Sequence, residues 1–197
     1  HLHPDYSLFN DTATYYLAVH PGIPERAGNQ SAAGADALSP EPFGWHTSTV
    51  QHTAAYHIGR QHQYGISLPW YESGEGWGAP RFGLGQTFNT PVPTPGAFDG
   101  PGAPDAEVYA VSVGASSALD NNPNHHLQVG SASTTAVDTA FYGYLANKLD
   151  FTLSSPLDPT TTVWHRSVDD LDVATDFQAV VSLSLIHISE PTRHASI

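Results

Sequence analysis

Twelve histidines in 197 residues, against six lysines and arginines, are the first feature of this chain that could do chemistry. His1 and His3 form a His-x-His pair at the start of the sequence. A free terminal amine with two imidazoles offers nitrogen donors of the kind copper takes. His46, His52, His57 and His62 follow at spacings of five or six residues. On strands, ligands to one metal sit at i and i+2 or converge from neighbouring strands, so this spacing predicts hydrogen-bonded or solvated rings instead. His125 and His126 fall in "NNPNHHLQ", which reads as a surface turn.

Other chemistries leave weaker traces. No Gly-x-Ser-x-Gly elbow occurs, and no glycine-rich loop stands between a strand and a helix to cradle phosphate. "SVDDLDVATD" carries Asp169, Asp170, Asp172 and Asp176, oxygen ligands that suit a hard cation. It lacks the glycine and closing glutamate of an EF-hand loop, so a solvated acidic segment is the expectation. "NDT" at Asn10 and "NQS" at Asn29 match the glycosylation sequon, which presupposes secretion.

Composition narrows the class. A net charge of -13 repels phosphate backbones and anionic lipid headgroups, so neither nucleic acid nor membrane is an expected partner. No cysteine is present, which excludes disulfides and thiolate metal sites. There is no methionine, even at position one, so a processed chain or a fragment is expected. Hydrophobic residues make up 40% and aromatics 11%, a globular composition that fits one domain.

The elements that must position these residues read as strands. The 17 glycines and 16 prolines are spread along the chain, and short apolar runs lie between them. "EVYAVSV" alternates, with Tyr109, Val111 and Val113 on one face; "KLDFTL" sets Leu149, Phe151 and Leu153 against Lys148, Asp150 and Thr152. "TTTVWHRSV" is a further strand, residues 132–146 could hold a short helix, and residues 72–102 form a long irregular connection with one short strand near Phe82 to Phe88. The pattern predicts an antiparallel sandwich or barrel.

The end differs. "LSLIHISEPTR", residues 183–193, resembles the translation of a transposase-type sequencing adapter. That resemblance implies a natural sequence ending near Ser182, with residues 183–197 a non-native, poorly packed tail in which His187 and His194 carry no role. Periodicity alone suggests an amphipathic strand that ends the domain.

Three further stretches occur in a telling order. "YYLAVHPGIPE" resembles the strand ending in a Pro-Gly-x-Pro turn of the jelly-roll capsid proteins of picornaviruses and their relatives. "PFGWHTSTVQHTAAYHIGRQHQYGISLPWYESG" is similar to the segment that follows there, with Pro69, Trp70 and Tyr71 in place of a strand-terminal Pro-Tyr pair. "YGYLANKLDFTLSSPLDPTTTVWHRSVDDLDVATDF" is similar to the last two strands, placed at 148–153 and 161–168. The resemblance implies an all-β fold, an antiparallel jelly-roll sandwich over residues 1–182 that lacks its first strands. It further implies a non-catalytic structural subunit of a virion capsid, without cofactor or metal, whose partners are other capsid subunits. Trp45, Pro69, Trp70 and Tyr71 are then the interface or rim residues. Two alternatives stand beside it: a secreted sandwich binding glycans on Trp70, Tyr71 and Trp77, and a copper-dependent polysaccharide oxidase. The latter rests on His1 and resembles the lytic polysaccharide monooxygenases, which usually carry disulfides.

Overall fold

The computed structural model describes residues 44–63, 66–69, 76–98, 100, 102–117 and 122–189. Two short pairs stand apart among them: β2 (Ala55–Tyr56) with β5 (Trp77–Gly78), and β3 (Arg60–Gln63) with β4 (Ile66–Pro69). Eight other strands make the body of the fold. They are β1 (Gly44–Gln51), β6 (Thr87–Pro93), β7 (Ala106–Gly114), β8 (His125–Ser131), β9 (Thr134–Phe141), β10 (Ala146–Leu153), β11 (Thr160–Ser167) and β12 (Gln178–Ser189). Two four-stranded sheets result, ordered β1-β12-β7-β10 and β6-β11-β8-β9, with every pair antiparallel. The all-β antiparallel sandwich predicted by the alternating runs is the fold.

Alternation decides which side chains fill it. In β10, Leu149, Phe151 and Leu153 join the core while Lys148, Asp150 and Thr152 face solvent. In β11, Thr161, Val163, His165 and Ser167 are buried and Thr160, Thr162 and Arg166 exposed. The main core gathers Val92, Val108, Leu127, Val129, Phe141, Val163, Leu183 and Leu185. Each such side chain contributes about 1.5–3 kcal/mol by leaving water. Strand β7 alternates at its start and is buried throughout from Ala110 on, because Val111 and Val113 meet Ala179 and Val181 in a second cluster.

The sheet edges are managed. β1 lies against β6 and β10 against β9, and the Ser48 hydroxyl donates to the Pro93 carbonyl between the first two. Pro91 and Pro93 sit on edge strand β6, where a residue without an amide hydrogen blunts further pairing.

Three expectations are corrected. Residues 132–146 hold no helix: β9 and a turn occupy them, and β-branched Thr135, Val137 and Thr139 suit a pleated strand. Ala132, at φ 49°, begins the tight turn from β8. Residues 183–189 are not poorly packed, because β12 runs unbroken from Gln178 to Ser189 across the boundary placed at 182/183, while residues 190–197 lie outside the described residues. It pairs with β1 on one side and β7 on the other, and Leu183 and Leu185 are fully buried. Alternation, not ancestry, decides what a strand slot accepts. The last two long strands are consequently β11 and β12, so the run at 148–153 is third from the end. Leu149, Phe151 and Leu153 have the opposing sheet that a truncated barrel would deny them.

Candidate functional site

Of the four residues singled out as interface or rim positions, the structure describes two, Trp45 and Pro69. Trp45 lies on edge strand β1, pairs in register with Ile188 and is 65% exposed. Pro69 closes β4 in the β3–β4 pair. Trp70 and Tyr71 lie outside the described residues, as do His1 and His3. Trp77, the third member of the glycan platform, stands edge-on to Tyr56 at 5.5 Å and 63°.

Polar chemistry concentrates where β8, β11 and β12 meet. Asp176 is almost fully buried and collects donors on both oxygens. The His125 ring binds one through Nδ1; the Ser167 hydroxyl (2.8 Å) and Gln178 Nε2 (2.9 Å) donate to the other. The second nitrogen of His125, Nε2, donates to the Ser116 carbonyl at 2.9 Å. Since a carbonyl only accepts, Nε2 carries its hydrogen, and a proton also lies between Nδ1 and the carboxylate. The ring stacks on Phe141 at 4.7 Å. Gly114 makes room for it: a Cβ there would stand 2.9 Å from Nε2 and 2.0 Å from the Gly143 carbonyl.

Serine, histidine and aspartate in one cluster invite a triad reading, and the connectivity refuses it. A triad needs the serine on the imidazole nitrogen remote from the aspartate. Here that nitrogen is taken by a main-chain carbonyl, and Ser167 is bonded to the carboxylate. Ser167, His125 and Asp176 are all buried, so no substrate reaches them. The arrangement fastens three strands and residues 115–117.

One residue further on, His126 faces outward. Its Nδ1 meets both oxygens of Asp170 (2.8 and 2.9 Å) and its Nε2 meets Asp138 (2.7 Å). Gln128 also donates to Asp138, at 2.8 Å. Partial burial disfavours charge on the ring, but the hydrogen bonds and negative charges of Asp138 and Asp170 outweigh it and raise its pKa. The same contact, with that from Gln128, holds Asp138 below the ordinary carboxylate range. The expected surface turn at His125-His126 is thus the start of β8, and Asp170 and Asp176 of the acidic segment are fasteners.

The remaining histidines divide. His57 donates from Nε2 to the Ala79 carbonyl at 2.8 Å, as expected of a hydrogen-bonded ring. His52 approaches Thr90 at 3.3 Å, and burial lowers its pKa. His165 is fully buried on β11 with no partner for either ring nitrogen among the described residues. Burial, reinforced by the charge of nearby His52, pushes its pKa down to about 3, so it is neutral. Its place was legible: in "TTTVWHRS" it shares the inward parity of Val163. The Asp176 cluster was not, because its members come from strands far apart in sequence.

No family model matches the chain, and no curated protein matches it. Among solved structures, the crystal structure of dimeric latent PorU from Porphyromonas gingivalis is similar, at a TM-score of 0.50 and 7% identity. The match covers 76% of this chain and 13% of that one. Likeness at that identity concerns the fold alone.

Proposed function

We propose that this chain is a structural subunit of a picornavirus-like capsid, a jelly-roll module that acts by packing against other capsid subunits in a virion. The observation that carries the reading is the pairing order. Counted among the described residues, the eight long strands pair first with last, second with seventh, third with sixth and fourth with fifth. A long antiparallel hairpin rolled into two facing sheets gives that order, the jelly roll of capsid and lectin domains. Aromatics on the outer surface favour the capsid use. Trp45 and Tyr109 stand 65% and 40% exposed on one four-stranded sheet, and Ile186 lies on the strand between theirs. Tryptophan and tyrosine dominate the binding energy of protein interfaces.

Sedimentation velocity with negative-stain microscopy of the full chain tests the reading. Concentration-dependent association into closed particles or their ring-shaped intermediates is expected. Trp45→Asp is expected to weaken association by about 2 kcal/mol or more, roughly thirtyfold. A chain that stays monomeric at every concentration and binds immobilised glycans instead would overturn it in favour of the lectin use.

A further inference from the structure

The tandem histidines at the head of β8 grip one segment from two sides. Residues 168–177 join β11 to β12. Near their start, the Val168 amide donates to the His126 carbonyl at 2.9 Å. At their far end, buried Asp176 holds His125, and the Phe177 amide donates to the Ser116 hydroxyl at 2.9 Å. Between these anchors Asp170 reaches back to the His126 ring.

We propose that His126 is a pH-operated latch for the middle of this segment, residues 169–175, closed while its ring is an imidazolium and open once the ring is neutral. Both ring nitrogens face carboxylates, and carboxylates only accept, so the observed clamp requires a hydrogen on each nitrogen. A neutral imidazole donates once and turns a lone pair toward the other carboxylate. Which contact then breaks follows from the remaining partners. Asp138 keeps Gln128, whereas Asp170 has only His126 among the described residues. The loop side lets go, and the anchors at Val168 and Asp176 confine the opening.

The groups facing the ring account for its titration. Asp138 comes from β9 and Asp170 from the segment itself. Asp176 approaches only the main-chain amide of His126, at 3.4 Å. Arg166, exposed on β11, is in register with Gln128, and His125 points to the opposite face of the sheet. A histidine whose pKa rises on folding contributes stability that is fully present below its ordinary value near 6.5 and is lost as pH rises through the raised value. Asp138, lowered on folding, keeps its part until the pH falls below the ordinary carboxylate range. The latch is therefore closed in mild acid and opens on the alkaline side.

The test follows the His126 ring signals by NMR in the full chain, with backbone order parameters of residues 169–175, between about pH 5 and pH 9. Order in this segment is expected to fall with the midpoint of His126. Asp170→Asn is expected to lower that midpoint and leave the segment mobile at every pH. Asp138→Asn is expected to lower the midpoint while the segment stays ordered in mild acid. Order that runs flat through the His126 midpoint, or an Asp170→Asn chain that matches the parent, overturns the latch. Loss of order in Asp138→Asn equal to that in Asp170→Asn overturns the assignment of the loop as the moving side. None of these outcomes depends on whether the chain builds a capsid.

Discussion

His125 and His165 are both fully buried in this sandwich, on neighbouring strands, and the protein treats them in opposite ways. His125 has a partner for each nitrogen and an aromatic face beneath it. His165 has no hydrogen-bond partner for either nitrogen among the described residues and stays neutral in a wall of valine and phenylalanine positions. The difference teaches that burial alone does not say what a polar residue is for. A ring whose every hydrogen bond is met ties strands together in one geometry; a ring with none costs stability and fills volume.

The comparison breaks most visibly at Asp176. Asp176→Ala leaves the His125 ring, the Ser167 hydroxyl and Gln178 Nε2 without their shared acceptor inside the core. A loss of about 3–5 kcal/mol is expected, seen in chemical denaturation as a lower midpoint and by calorimetry as a fall of roughly 10 °C or more. A variant as stable as the parent would mean the cluster is not a fastener.

Acid sharpens the other side. The unfolded chain takes up a proton at residue 165 below about pH 6.5, while the folded chain resists until about 3. Stability is therefore expected to fall as pH drops through that window, by on the order of 4 kcal/mol from this residue at its acid end. His165→Leu should remove this share of the acid limb and raise stability at neutral pH by about 1–3 kcal/mol, since two unmet polar atoms leave the core. Denaturation curves of parent and variant at several pH values decide it; an unchanged acid limb would mean the ring is protonated or bonded in the native state.

The smallest effect belongs to the outward neighbour. His126→Gln breaks a clamp whose carboxylates are half-exposed, and solvent screening limits such pairs. Global stability in mild acid is expected to move by less than about 1 kcal/mol, in contrast to Asp176→Ala. A large loss would place His126 with the structural histidines and not with the surface.

How much of this could be read from residues alone follows from range. The inward set of β10 was legible because a strand writes its burial with a period of two in a few residues. Strand β7 was read by its other face: Val108 and Ala110 enter the main core, and Tyr109, grouped with Val111 and Val113, is 40% exposed. "TTAVDTAF" reads toward a helix because alanine and small residues dilute the period, and the tight turn before it carries no glycine or proline to mark it. The fasteners were hidden for another reason. Asp176 looks like one acid among four, and only the folding of β8 against β11 and β12 shows which carboxylate is buried. His125 carries no local mark either, since the glycine that admits its ring is Gly114, on a different strand and sheet. The second part of β12, residues 183–189, carries a plain parity whatever its resemblance to an adapter: Leu183 and Leu185 inward, Ser184 and Ile186 outward.

That last strand has a further consequence. With β12 withdrawn, β1 and β7 would be left flanking a trough, each offering a row of main-chain donors and acceptors at fixed register. Such a trough is a socket, and an alternating peptide of matching length is a plug that could be supplied as a separate molecule. The sandwich would then exist in two halves, mixed at will, with reassembly reporting on every substitution placed in either piece.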